Sequence, residues 1–338
     1  MHMKKIINDP AKYVAEMLEG FCAAHPEYYQ QVGPQGRIIV RPEAPIAGKV
    51  GIVTGGGSGH LPIFTGYVGK GLLDAAAIGD VFCSPTTEQI AEAMRRANSG
   101  LGVVRLYGNY GGDVMNFDMA GEMLEMEGIE STTVLLTDDV VSAPSDEKEK
   151  RRGTGGLVYA FKIAGAKADE NAKIDEVTRV AQKAADQCRS VGIALTPCTI
   201  PQAGKPGFEI GDDEMEMGMG IHGEPGVWRG KLKKADEIAQ EMFDLIFKDM
   251  PLARSDTVSV MVNSLGATPT EELYIVYRYI KTRLDNLGVR IVMPLVGHYA
   301  TSMEMAGMTL TICRLDEELE RLLMAPCECA FWKVGAYA

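Results

Sequence analysis

Short apolar runs alternate with stretches of helical periodicity, and this alternation limits the folds open to the chain more than any other feature. Apolar runs at 50–53, 75–78, 102–106 and 132–136 read as strands. Between them lie helix-length amphipathic segments, among them 86–97 and 117–126. Thr86, after Pro85 and before Glu88, reads as the cap of the first. A longer helical stretch, 173–189, runs out at Val191-Gly192. Strand–helix alternation of this kind predicts an α/β architecture.

After Gly192 the grammar changes. Residues 193–195 and 198–200 are apolar, 201–207 is rich in proline and glycine, and 212–219 is acidic and methionine-rich. A helix is expected at 235–247 and a strand at 257–262. Leu273, Val276, Tyr277, Ile280 and Leu284 then recur at helical spacing until Gly288, and strands at 290–293 and 308–314 complete the pattern. The expected organisation is two α/β domains, 1–188 and 189–338, with the boundary inside 187–192. The charged run 145–152 (SDEKEKRR) reads as a solvated loop or helix start.

Composition narrows the function. With 46% hydrophobic residues, 338 residues suffice for two sizeable cores. A formal net charge of −12 disfavours contact with nucleic-acid phosphates. No apolar run approaches the ~18 residues a membrane-spanning helix needs. The start, MHMKKIINDP, lacks the apolar core of an export signal, and its MHM reads as a cloning remnant. Seven cysteines, at 22, 83, 188, 198, 313, 327 and 329, show no framework spacing and read as reduced thiols of a cytoplasmic protein. Cys327 and Cys329 lack two further ligands nearby, so no metal is expected. The methionine clusters around Met215 and Met303 read as adaptable packing.

Three glycine-rich loops carry the candidate chemistry. TGGGSGHLP (54–62) follows a strand, where α/β proteins place ligand loops, and its bare backbone lets N–H groups approach a ligand. It fits neither the dinucleotide nor the P-loop pattern, and a tight turn with a structural histidine explains it equally well. NYGGDVMNF (109–117) sets Asp113 at the end of another strand, as a general base or as a plain helix cap. GMGIHGEPG (218–226) holds His222 on a rigid loop, as ligand, acid or base, nucleophile, or a histidine satisfied by local hydrogen bonds. His25 reads as structural, and His298 falls in an expected strand-to-helix loop.

At these residues the chain resembles the K subunit of dihydroxyacetone kinases. The resemblance runs through INDP, PIAGKV, GGGSGH, FCSPT, NYGGDVMNF, RRG, GIAL, IPQAGKP, DDEMEMGMGIHGEPG, VNSLGATPTEELY and TSMEMAGMTLT. It implies two α/β domains with mixed sheets, the ligand site between them, and a homodimer. It also implies that His222 captures a short ketose as a covalent hemiaminal. His60 and Asp113 then handle the proton of the hydroxyl to be phosphorylated, and Gly57, Ser58, Gly59, Leu61 and Gly108 are the expected substrate-binding positions. No cofactor is expected on this chain: ADP or ATP with Mg would sit on a separate L-type subunit, recharged in some systems by an M-type phosphocarrier.

Two positions depart from the family pattern. Leu61 replaces an acid in the first loop, and Gly108 and Gly111 replace a lysine and a threonine around NYGGD. Losing a lysine removes a charge-assisted hydrogen bond of about 1.5–3 kcal/mol and vacates volume. A four-carbon ketose such as erythrulose is therefore a candidate substrate beside dihydroxyacetone. The same departures suit two other roles, a ketose-sensing paralogue that co-activates transcription and a plain non-covalent binding protein.

Overall fold

The computed structural model describes residues 4–335, so the MHM start and His2 lie outside the described residues. The first half builds α1 (Tyr13–Ala24), β1 (Gln30–Val32), β2 (Ile38–Val40), β3 (Gly51–Ser58), β4 (Ala75–Val81), α2 (Thr87–Ala97), β5 (Val103–Gly108), α3 (Gly111–Met126), β6 (Ser131–Leu136), α4 (Gly156–Asp169) and α5 (Ile174–Asp186). Its six strands form one sheet in the order β1-β2-β4-β3-β5-β6. The pairs β4–β3, β3–β5 and β5–β6 are parallel, whereas β1–β2 and β2–β4 are antiparallel, so the sheet is mixed. Strand alternation divides the core. Val53 and Val103 face α2 and α3 with Ile90, Met94 and Phe117, while Ile52 and Val104 face α4 and α5 with Phe161 and Val177. Thr86 caps α2 in a full capping box, with Gln89 as the returning partner.

The second half builds β7 (Cys188–Ala194), β8 (Thr199–Ile200), β9 (Lys205–Pro206), β10 (Glu214–Met217), β11 (Trp228–Lys231), α6 (Ala235–Asp249), β12 (Thr257–Ser264), α7 (Thr270–Leu287), β13 (Arg290–Ile291), β14 (Leu295–Gly297), β15 (Gly307–Leu315), α8 (Glu317–Met324), β16 (Cys327–Glu328) and β17 (Lys333–Val334). Seven strands make a second mixed sheet, β11-β10-β7-β15-β12-β13, with β14 also on β12. Helices α6 and α7 cover one face, packing Phe243, Val276 and Ile280 on Val191, Val260 and Ile312.

Helix α4 touches strands of both sheets, and all its residues except Lys167 and Asp169 are buried. Apolar on every side, it carries no stripe for a periodicity reading to find. Its Lys162 ammonium donates to the Leu322 carbonyl at 2.8 Å, and its Tyr159 hydroxyl meets Ser259 at 3.0 Å. The C-terminal β16–β17 pair brings Cys327, Cys329 and Trp332 back to the core beneath the first sheet.

Three sequence expectations change. Gly55, Gly56 and Gly57 of TGGGSGH do not follow a strand: they lie in its last half, within β3, and only Gly59 stands beyond its end. A Cβ at Gly56 would overlap the Phe64 ring, and one at Gly57 would lie 2.6 Å from the Cys83 nitrogen, so close packing selects glycine there. Within SDEKEKRR, Ser145–Lys150 forms an exposed turn, but Arg151 is only 2% exposed. Its guanidinium grips Asp249 of α6 through two hydrogen bonds of 2.7 and 3.0 Å, and Arg189 reaches the same carboxylate. His298 leads from β14 towards another strand, β15, and no helix intervenes.

Candidate active site

His60 follows β3 across Gly59, whose φ of +103° favours a residue without a Cβ. The ring is 1% exposed and stacks on Phe82 at 4.9 Å. Its Nδ1 lies 2.8 Å from the Thr301 carbonyl oxygen. A carbonyl only accepts, so the proton sits on Nδ1 and Nε2 presents a lone pair. That Nε2 is buried and has no hydrogen-bond partner among the described residues. Burial, then the neighbouring His222, push the imidazole down to about 3, so it stays neutral in any ordinary buffer.

Asp113 belongs to the first turn of α3, where the N-cap residue is Tyr110 and no side-chain cap forms. The capping reading of Asp113 is therefore not what the structure shows. Its Oδ1 is buried without a partner among the described residues. Burial lifts the carboxyl to about 6, against the opposing pull of the Ser84 hydrogen bond and of His222. Such a group holds its proton weakly enough to exchange it near neutrality.

His222 comes from the second half, on the turn after β10. Its ring centroid lies 4.8 Å from that of His60, 4.7 Å from Tyr110 and 5.3 Å from Phe82, each at a steep angle. Its Nδ1 meets Glu224 Oε1 at 3.0 Å, and its backbone N–H donates to Glu224 Oε2 at 2.9 Å. Burial raises the Glu224 carboxyl, but the His222 hydrogen bond and charge, its own backbone and Arg152 overcome this and hold it at about 2. Tyr110 is fixed by its hydroxyl, which donates to the Gly153 carbonyl at 2.9 Å.

One segment ties the two histidine loops together. The backbone N–H of Thr301 and of Met303 donate to the carbonyls of His60 and Gly59, at 3.3 and 2.8 Å. Between them, the Ser302 hydroxyl donates to the Ile221 carbonyl, next to His222, at 2.5 Å. Asn263 of β12 steadies the segment by accepting from the N–H of Tyr299 and Ala300.

The structure thus brings His60, Asp113 and His222 together, with Gly59 at the turn. Gly57 lies under the Phe82–Cys83 backbone. Ser58 spends its hydroxyl on the Gly79 carbonyl at 3.1 Å. Gly108 ends β5 beside Tyr110. Leu61, with Tyr13, Met17 and Met303, lines a pocket of about 390 Å³ that also takes in Gly59 and Thr301. Sequence reasoning missed Phe82, Tyr110, Thr301 and Glu224. The signal for Glu224 was in view, an acid two residues beyond His222 in a glycine turn. Among the described residues no group of three or more His, Cys, Asp or Glu is arranged to hold a metal, and no helix is long and apolar enough to cross a membrane.

An imidazole with a free lone pair, a neutral imidazole acceptor and a carboxylate poised near neutrality are parts for adding to a carbonyl and moving a hydroxyl proton. A family model described as the Dak1 domain matches residues 19–331. The chain belongs to the Dak1 family. A curated relative of this Dak1 chain is the dihydroxyacetone-binding subunit of PTS-dependent dihydroxyacetone kinase 2 from Listeria innocua. It is 43% identical over 332 residues, covering 98% of this chain and 100% of that one. A D-erythrulose kinase of Mycolicibacterium smegmatis is 43% identical over 334 residues, which span 99% of this chain but 57% of that enzyme. Among solved structures, the dihydroxyacetone kinase operon co-activator Dha-DhaQ superposes with a TM-score of 0.88 at 32% identity, covering 95% of this chain and 99% of that one.

Proposed function

We propose that this chain is the substrate-binding subunit of a dihydroxyacetone-kinase-type phosphotransferase. It captures a short open-chain ketose on His222 as a hemiaminal and presents the terminal hydroxyl for phosphorylation. The observation that carries this reading is the meeting of the His60 and His222 rings, 4.8 Å apart, with a partnerless His60 Nε2 and a partnerless Asp113 oxygen whose carboxyl feels the His222 charge. The ketose lies between a unit of residues 1–188, which supplies His60 and Asp113, and a unit of residues 189–338, which supplies His222. Covalent capture anchors a molecule with too few atoms to bind tightly by contact alone. It also fixes the hydroxyl for in-line attack on a phosphoryl group. Asp113 takes the hydroxyl proton, and the lone pair of His60 accepts a hydrogen bond from the substrate.

Dihydroxyacetone and four-carbon ketoses such as erythrulose are the substrates. The missing side chain at Gly111, with nothing within 4 Å of a Cβ among the described residues, supports room for the fourth carbon, whereas a Cβ at Gly108 would lie 3.0 Å from the Tyr110 ring. The nucleotide, ADP or ATP with Mg, is carried by a separate L-type subunit, with an M-type phosphocarrier where the phosphotransferase system is the donor. The full-length match to a Listeria chain named as a subunit supports this. The working form is a cytoplasmic homodimer, a reading supported by exposed Leu232 and Ile275 at one apolar pocket.

The test is native mass spectrometry of the chain with dihydroxyacetone and with erythrulose, beside His222→Ala. An adduct in the parent and none in the variant is expected, and an adduct that survives in the variant refutes capture at His222. The likeness to the co-activator favours one second reading, a ketose sensor without transfer. An adduct that no nucleotide-carrying partner can phosphorylate would decide for the sensor.

A further inference from the structure

The carboxylate behind His222 is built into the loop with unusual closeness. Both Glu224 oxygens serve the same residue, one on the ring nitrogen and one on the backbone N–H. A Cβ at Gly220 would overlap Glu224 Oε2 and lie 2.7 Å from Arg152 Nη1, so the loop must be bare where the carboxylate folds across it. Arg152 stands 4.0 Å from Glu224 Oε2 and donates to the Gly218 carbonyl at 3.1 Å. Arg152 is itself held by buried Asp139, whose Oδ2 accepts from Nε at 2.9 Å. The backbones of residues 139 and 152 are joined as well, Asp139 N–H to the Arg152 carbonyl at 3.1 Å.

We propose that Glu224 is the positioning residue for His222, with Arg152 and Asp139 as its anchor. A carboxylate cannot donate, so the proton on that edge of the ring belongs to Nδ1 and the lone pair is fixed on Nε2, the edge left for substrate. This rests on the reading of His222 as the nucleophile. In the capture step the Nε2 lone pair forms the bond to the carbonyl carbon and the carbonyl π pair moves to oxygen. The alkoxide takes a proton from water, releasing hydroxide. The ring, now substituted at Nε2 and protonated at Nδ1, is cationic and faces the Glu224 carboxylate, which stabilises it as the bond forms.

The experiment has two readouts on the full chain. Nitrogen-15 NMR of the ligand-free protein, with His222→Ala assigning the resonance, reports which ring nitrogen carries the proton. Native mass spectrometry with dihydroxyacetone reports the adduct. The parent should be protonated on Nδ1, and Glu224→Ala should shift the proton towards Nε2 and weaken the adduct by about 10–100-fold, the usual range for loss of an orienting partner. Glu224→Gln, close to isosteric, should keep the Nδ1 tautomer through its amide oxygen and recover part of the adduct. An unchanged tautomer and an undiminished adduct in Glu224→Ala would overturn the proposal. If the parent forms no adduct while the tautomer still moves in Glu224→Ala, capture fails and the orienting role stands, so the two failures are distinguishable.

Discussion

His60 and His222 are the same residue type 4.8 Å apart, yet the chain has given them opposite surroundings. Behind His60 is a neutral backbone carbonyl, in a setting so buried that the ring stays neutral. Behind His222 is an ionised carboxylate, in a setting open enough to admit a ligand. Both end with the proton on Nδ1 and a lone pair on Nε2. Only His222 has a negative charge in place to meet the positive charge that the proposed bond to a carbonyl would create. On the proposed roles, the residue directly behind each imidazole, more than the imidazole, divides hydrogen-bond acceptor from nucleophile.

The largest effect should come from removing one histidine at a time. His222→Ala should lose the ketose adduct entirely, whereas His60→Asn should still form it, as native mass spectrometry can show. Loss of the adduct in both would end the division of labour. Next, Asp113→Asn should keep the adduct but slow phosphoryl transfer by roughly 10²–10⁴, read in a coupled assay with a nucleotide-carrying partner. Full activity in that variant would remove Asp113 from proton transfer. A pH profile sharpens the contrast further. With Asp113 raised to about 6 and His60 lowered to about 3, transfer should fall about tenfold per pH unit below 6 as the Asp113 carboxylate takes up its proton. His60 should add no inflection between about pH 5 and 8.

The smallest effects lie in the walls. Gly56→Ala should cost about 1–3 kcal/mol through its clash with Phe64. Gly111→Ala should leave stability unchanged or raise it by up to about 1 kcal/mol. Denaturant titration of the two variants measures both, and equal effects would mean that the β3 wall is softer than its packing indicates.

Much of the fold was legible because it is local. Alternating apolar runs marked β4, β5 and β6, Thr86 marked the start of α2, and Gly288 the end of α7. Helix α4 was not, because a helix buried on all sides shows no period. The second half of β3 was not, because glycine is a poor strand former and only the crowding around it explains its use. Nothing near Arg151 in sequence announces Asp249, 98 residues away. Each of the three site residues had an ordinary local explanation; glycine-rich loops put them in view, and motif resemblance, not spacing, gave them their expected roles. Spacing had no access to what joins them: His60 meets its partner Thr301 across 241 residues.

The stretch Thr301–Met303 has a consequence for how faithfully the site keeps its dimensions. The two imidazoles hang from different sheets, so their separation would ordinarily inherit every shift of one sheet against the other. Here a few consecutive residues bond one loop through residues 301 and 303 and the other through residue 302. The gap between the two rings is thereby gauged against covalent backbone, which spans at most ~3.6 Å per residue. The chain carries its own ruler, and the spacing of the two histidines is set by that ruler instead of by the tolerance of two packed layers.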